Sequence, residues 1–428
     1  MATDNVPPMG VQGRRSTVET APPPAPGLKR WQQICLLGAL SMFAPLSTDM
    51  YLPALPSMAH DLSASPAAVA LTLTASLVGL GVGQLVAGSL SDALGRRRPV
   101  LVGLLVYTAS SVLCALAPDV WTLCVLRLLQ GAAGAAGIVI ARAVVRDLYS
   151  GVEAARFFAR LMIVIGLAPI LAPIIGGQLL HITDWRGVFL VLAGIGALLT
   201  VFSWRALAET LPPSARQRGG LASMLGVLGV LVRDRRFMGL TLCFGLFFGA
   251  VFAYIAGSPF VLEDIFGLSP QLFGVLFAGN AVGLVIASQV GGRLVGRYGP
   301  QRLLTVGVAA GSATGGGLLL TVLGHGGLAP ILLCFFFLPV SFGLVAPNVT
   351  ALALAPFPHV AGSASALMGL MQFGIGAAVA PLVGVAGSHT AIPTAIVIAA
   401  MVFAAAAVLW ASTSRRRTRA AGGEANAG

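Results

Sequence analysis

Apolar residues in this chain do not alternate with polar ones. They come in runs of about 20, parted by short stretches that carry arginine, aspartate, glycine or proline. As helices, runs of that length cross about 30 Å of hydrocarbon. Twelve are predicted, near 33–54, 67–90, 99–117, 121–141, 157–180, 187–204, 237–258, 271–292, 303–323, 328–350, 362–387 and 391–411. The stretch 205–236 separates the sixth from the seventh. Within it Leu221, Met224, Leu225, Leu228 and Leu231 share one helical face. That run is too short to span and predicts a helix lying on the membrane surface. Residues 1–30 hold six prolines and read as a disordered tail. No short apolar core with a cleavage site precedes the first run, so a removed signal peptide is not expected. The expected layout is all-α: a six-helix bundle over 31–205, a linker over 206–236, a second six-helix bundle over 237–411, and a basic tail over 412–428.

Composition agrees with the pattern. The chain is 57% hydrophobic and 9% charged, where soluble domains carry about 25% charged residues. A net charge of +12 raises the question of nucleic acid, and its placement answers it. Arg96, Arg97, Arg98, Arg142, Arg146, Arg205, Arg233, Arg235, Arg236, Arg297 and Arg415 fall in loops and tails of one side, whereas the other side has only Arg186 beside Asp61, Asp119, Asp184, Glu263 and Asp264. This is the positive-inside pattern of a multi-pass protein with both termini cytoplasmic. No soluble domain is left to hold a nucleic acid. Arginine replaces lysine almost everywhere, which hints at a bacterial source and so at the bacterial cytoplasmic membrane. The five cysteines lie in apolar runs without metal-ligand spacing and are expected to be free thiols. No metal or other cofactor is expected, and neither is an enzyme: no nucleophile, metal or acid–base cluster is visible.

Against this apolar background two charges stand out. Asp49 is the one acid well inside a run, and Arg127 the one arginine. Charges at such depth are costly and mark functional sites. Asp49 lies six residues before Leu55 and Arg127 six after Trp121, which puts both roughly 9 Å in from the same face. They are expected to pair, as a titratable acid beside a fixed base. The chain also repeats itself. The frame Gly-x-Leu-x-x-x-x-Gly occurs at Gly88–Gly95 and again at Gly292–Gly299, 204 residues later, with Asp92 matched by Gly296. From Leu303 to Ser414 there is no acidic or basic residue except histidine. Two related halves are therefore expected, with charge-driven coupling confined to the first.

These residues carry a resemblance. The run Gly88–Arg98 resembles the loop signature between the second and third helices of the major facilitator superfamily. Arg127-Leu128-Leu129-Gln130-Gly131 is similar to its fourth-helix motif. Ala172–Gly177 resembles the fifth-helix element of its drug:proton antiporters, here with Pro169, Pro173, Gly176 and Gly177. The runs Thr48–Pro56, Arg146–Tyr149 and Phe357–Gly362 narrow the likeness to the bicyclomycin/chloramphenicol-resistance branch. The resemblance implies a gating motif at Gly88, Asp92, Gly95, Arg96 and Arg97. Asp92 should meet a helix N-terminus or an arginine, with Arg142 or the chain near Gly362 as its partner. It further implies proton coupling through Asp49 and Arg127.

Polar and aromatic residues inside the runs are candidates for a drug cavity: Tyr51, Gln130, Phe248, Tyr254, Asn280, Asn348 and Gln372. An apolar pocket with a few polar points suits a bulky ligand. The expected function is proton-driven export of a hydrophobic drug by a monomer in the lipid bilayer, through alternating access of the two halves. A proton-coupled transporter of a peptide, amino acid derivative or sugar would use the same skeleton and a more polar cavity.

Overall fold

Serine, aspartate and proline set where the long helices start. The computed structural model describes residues 30–149, 151–216, 229–357, 361–385, 387 and 389–424. Its helices are α1 (Arg30–Asp49), α2 (Leu55–Asp61), α3 (Pro66–Leu94), α4 (Arg97–Ala115), α5 (Val120–Leu148), α6 (Gly151–Leu179), α7 (Trp185–Ala206), α8 (Arg235–Pro259), α9 (Pro270–Tyr298), α10 (Pro300–Leu323), α11 (Leu328–Leu354), α12 (Ala361–Val379) and α13 (Ile392–Glu424). No strand occurs among the described residues. Ser65 caps α3, Asp119 α5, Asp184 α7, Asp234 α8 and Ser269 α9, each accepting a backbone N–H from the first turn.

These caps extend the repeat. Ser65-Pro66 and Ser269-Pro270 are 204 residues apart, the same offset as Gly95 and Gly299. Each pair brackets a helix of 29 residues. Both glycines have positive φ, +93° and +75°, a region that L side chains rarely adopt. So α3 and α9 are equivalent rods, one in each half.

Ten described helices are long and apolar enough to cross a membrane, or eleven if the bent pair Trp31–Phe43 and Pro45–Asp61 is one span. The first predicted run thus does not end as one straight helix. Pro45 lies within α1, the chain tightens into a 3₁₀ turn at Leu52–Ala54, and α2 continues to Asp61. In α6 the apolar part described is Leu167–Leu179. The predicted surface helix lies outside the described residues except at its end, where Leu231 is buried.

Close packing in the first half depends on small residues. A Cβ on Gly79 or Gly131 would run into the backbone carbonyl of Leu128 or Ser76, which locks α3 against α5. The two halves meet at the end that carries α2. There Thr74 Oγ1 donates to the Ala377 carbonyl at 2.7 Å, and Gln271 Nε2 to the Gly177 carbonyl at 2.9 Å. Both bonds join the halves directly. At the opposite, arginine-bearing end the ion pairs stay within the first half.

Candidate functional site

Ser47 and Asp49 close α1, and Arg127 lies in the second turn of α5. Arg127 is fully buried. Its Nη1 donates to Ser47 Oγ at 3.1 Å and to Gln130 Oε1 at 2.5 Å. Gln130 in turn donates from Nε2 to Ser111 Oγ at 2.7 Å. The guanidinium lies 4.3 Å from the Tyr51 ring centroid and 5.6 Å from that of Phe189, so the two rings shield its charge by cation–π contact. Tyr51 is itself buried, with its hydroxyl 3.1 Å from Thr72 Oγ1.

The expected pairing of Asp49 with Arg127 does not form. Asp49 is half-buried and makes no ion pair or hydrogen bond among the described residues. It instead lies within electrostatic reach of Tyr254 on α8, in the other half. Asn280 Nδ2 on α9 donates to Tyr254 Oη at 2.6 Å, which leaves the phenolic hydrogen free to point elsewhere. Tyr254 packs between Phe277 and Phe335, at 5.7 and 5.1 Å between ring centroids. So an acid from the first half lies within charge range of a phenol–amide pair from the second.

The other cavity candidates scatter. Tyr51 and Gln130 are enclosed around Arg127. Asn348 is buried and donates to the Leu344 carbonyl of its own helix at 2.8 Å. Phe248 is half-buried in an aromatic cluster with Phe252, Phe342 and Phe373. Gln372, beside Phe373, is half-buried too.

The gating residues do come together, though with partners other than those expected. Arg96 is buried between two acids: Nη1 reaches Asp92, and Nε donates to Asp147 Oδ2 at 2.8 Å. Burial opposes its charge, but hydrogen bonds to Asp147 and Asp92 outweigh that and hold Arg96 above the ordinary arginine value. Arg142 is not the partner of Asp92, and the side chains at the start of α12 near Gly362 lie outside the described residues. Glu209, which follows α7, accepts the backbone N–H groups of Arg96 at 2.7 Å and of Arg97 at 3.2 Å. It thereby caps α4 from a distance of more than 100 residues in sequence. Arg97 Nη2 donates to the Trp204 carbonyl at 2.6 Å. Gly95 makes the turn and packs beside Glu209, while Gly88 faces Val139 across an ordinary contact. No spacing pattern pointed to Glu209; an acid just past a helix end was its only trace in the sequence.

The fifth-helix element forms the meeting surface of the halves. A Cβ on Gly176 would strike the Met50 carbonyl, and one on Gly177 would lie 2.6 Å from that of Pro270. Across the seam a Cβ on Gly274 would lie 2.5 Å from the Pro173 carbonyl. Pro169 sits one turn before Pro173 in the same helix. Gly274 was not flagged by any motif. The five cysteines are free, and no cluster of metal ligands occurs among the described residues.

Two helical bundles joined at one end, with an acid near the seam that has no cation beside it among the described residues, are the construction of a secondary transporter. The chain belongs to the Major Facilitator Superfamily, whose sequence profile matches residues 37–381; members of that family are transporters, not enzymes. It is 41% identical over 369 residues to an uncharacterized MFS-type transporter, YdgK, of Bacillus subtilis, covering 86% of this chain and 92% of that one. It is 31% identical over 382 residues to a bicyclomycin resistance protein homolog of Haemophilus influenzae, covering 89% and 96%. The nucleoside transporter NupG superposes with a TM-score of 0.74 at 14% identity over 89% of this chain and 99% of that one, a likeness of fold.

Proposed function

We propose that the protein exports hydrophobic drugs or antibiotics across the cytoplasmic membrane in exchange for protons. Its twelve spans have both termini in the cytoplasm, with α6 as the span beyond those long and apolar by composition. The observation that carries this reading is Asp49, an acid on the seam with no cationic partner while Arg127 is held elsewhere. The likeness to a bicyclomycin resistance protein homolog supports the choice of drug as cargo.

In this cycle the arginine-bearing end faces the cytoplasm, and the halves described here are closed towards the outside. Drug enters from the cytoplasmic side while Asp49 is ionised. Rocking of the bundles turns the site outward. A proton arriving from outside neutralises Asp49, the drug leaves, and the neutral carboxyl returns. Tyr254, held by Asn280, is the group of the second half nearest to sensing that change. The halves differ in role: the first carries charge, the second recognises shape through its aromatic wall.

Expression in an efflux-deficient bacterium, with a panel of antibiotics, tests the reading. Raised resistance to one or more hydrophobic compounds, abolished by a protonophore, is expected. Unchanged susceptibility throughout the panel sinks drug export and favours a metabolite as cargo.

A further inference from the structure

After Pro259 the helix α8 does not simply stop. Phe260–Ile265 forms a π-helical turn, a widened geometry that is uncommon and recurs at functional sites. Glu263 lies on that turn, half-buried, with Oε1 sealed from solvent and without a hydrogen-bond partner. The turn packs on α2, which belongs to the other half, and on α9. Glu263 is therefore a second enclosed acid, placed where the two bundles touch at their closed end.

No cation of the neighbouring elements answers it. From α2 come His60 and Asp61, both exposed, and Asp61 is engaged by Arg186 and by Trp185 Nε1. Along α8 the basic residues are Arg235 and Arg236, at the far end. On α9 they are Arg293 and Arg297, also at the far end. Beside Glu263 on its own turn stands Asp264, a like charge. A carboxylate oxygen shut away from water among such neighbours is costly, whereas a carboxylic acid there is not.

We propose that Glu263 is a proton-binding site of the outer seam, loaded when the two bundles close there and emptied when they part. The proton comes from the external solution and returns to it, so Glu263 does not carry protons through the membrane. It couples closure to external acidity: protons outside favour the closed seam, which is the state ready to accept cargo from within. This inference rests on the orientation proposed above, but not on the identity of the cargo or on Asp49 as carrier.

The test uses the full chain in lipid nanodiscs, without drug, with Asp49→Asn to silence the carrier. Spin labels on cysteines placed at Ile182 and Leu272, in a background free of native cysteines, report the distance across the seam. Raising the pH from mildly acidic to mildly alkaline should shift the population from short to long distances. Adding Glu263→Gln should remove that shift and hold the seam closed at every pH. Glu263→Asp should keep it, with a displaced midpoint. A pH response that survives Glu263→Gln, or no response in the Asp49→Asn protein alone, overturns the proposal. Failure of drug export would leave this readout intact, so the two readings fail separately.

Discussion

Ser47 and Asp49 are two residues apart on α1, so their side chains leave the helix about 200° from each other. That angle decides the fate of Arg127. Its guanidinium takes the Ser47 side, is tied to Gln130 and is covered by Tyr51 and Phe189. Asp49 is left without a cation beside it among the described residues. Charge in an apolar run marked both residues. Counting along a helix does not say which way the helix is turned, and that turn is set by packing of α1 against α5 and α6. Asp49 is thus expected to act alone. Asp49→Asn keeps size and hydrogen bonding but removes the titratable group. Drug added to the detergent-solubilised wild type should release protons; the Asn variant should bind a neutral drug and release none. Proton release equal to the wild type would remove Asp49 as the carrier.

At the scale of elements, the seam between α6 and α9 is a contact of backbone on backbone. Gly177 lies against Pro270, and Gly274 against Pro173. Without a Cβ, each glycine lets its helix come up against a proline carbonyl of the opposite one. Gly274→Ala should force the helices apart, because the atom in the way is a carbonyl oxygen rather than a flexible side chain. Overpacking of this kind costs about 1–3 kcal/mol. The expected result is an outward shift of the conformational equilibrium, read as longer distances between labels on α6 and α9, and slower export. Unchanged distances would mean that the seam absorbs the methyl group. The proline and glycine side of this contact was legible as a motif. Gly274 was not, since a lone glycine in a membrane helix has many possible reasons to be there. The all-helical class and most of the spans were legible for a plain reason: a span must be long and apolar. Where such a run bends could not be read as reliably, because the bend after Phe43 and the turn at Leu52–Ala54 depend on what packs beside them.

For the whole molecule, the two halves are copies that have diverged at their charged positions. The offset of 204 residues holds for the caps, the glycine turns and the rods between them, yet Asp92 is matched by Gly296. The cluster of Asp92, Arg96, Asp147 and Glu209 is built within the first half, with the Asp92 side chain still 56% exposed. That exposed edge is free to meet the second bundle if the arginine end closes, as the proposed cycle requires. Asp92→Asn should therefore slow transport several-fold while leaving expression and drug binding largely intact. Rates in reconstituted vesicles equal to those of the wild type would deny the cluster a part in gating. The sequence suggested that Asp92 would meet an arginine or a helix N-terminus. It could not show that Arg96, one turn away, is also held by Asp147 from α5, because that depends on how α3, α4 and α5 converge.

The enclosure of Arg127 has an electrical consequence. A guanidinium fixed within its bundle swings outward and back with every turnover, and over a full cycle its contribution cancels. Asp49 differs, being charged on one stroke and neutral on the other. With a neutral cargo, each cycle of the proposed exchange then moves one net positive charge inward, and the membrane voltage drives export with about 2.3 kcal/mol per 100 mV. With a singly cationic cargo the same cycle is electrically silent, and the pH difference is left as the driving force. One transporter would thus draw on two different components of the proton-motive force, according to the charge of what it carries.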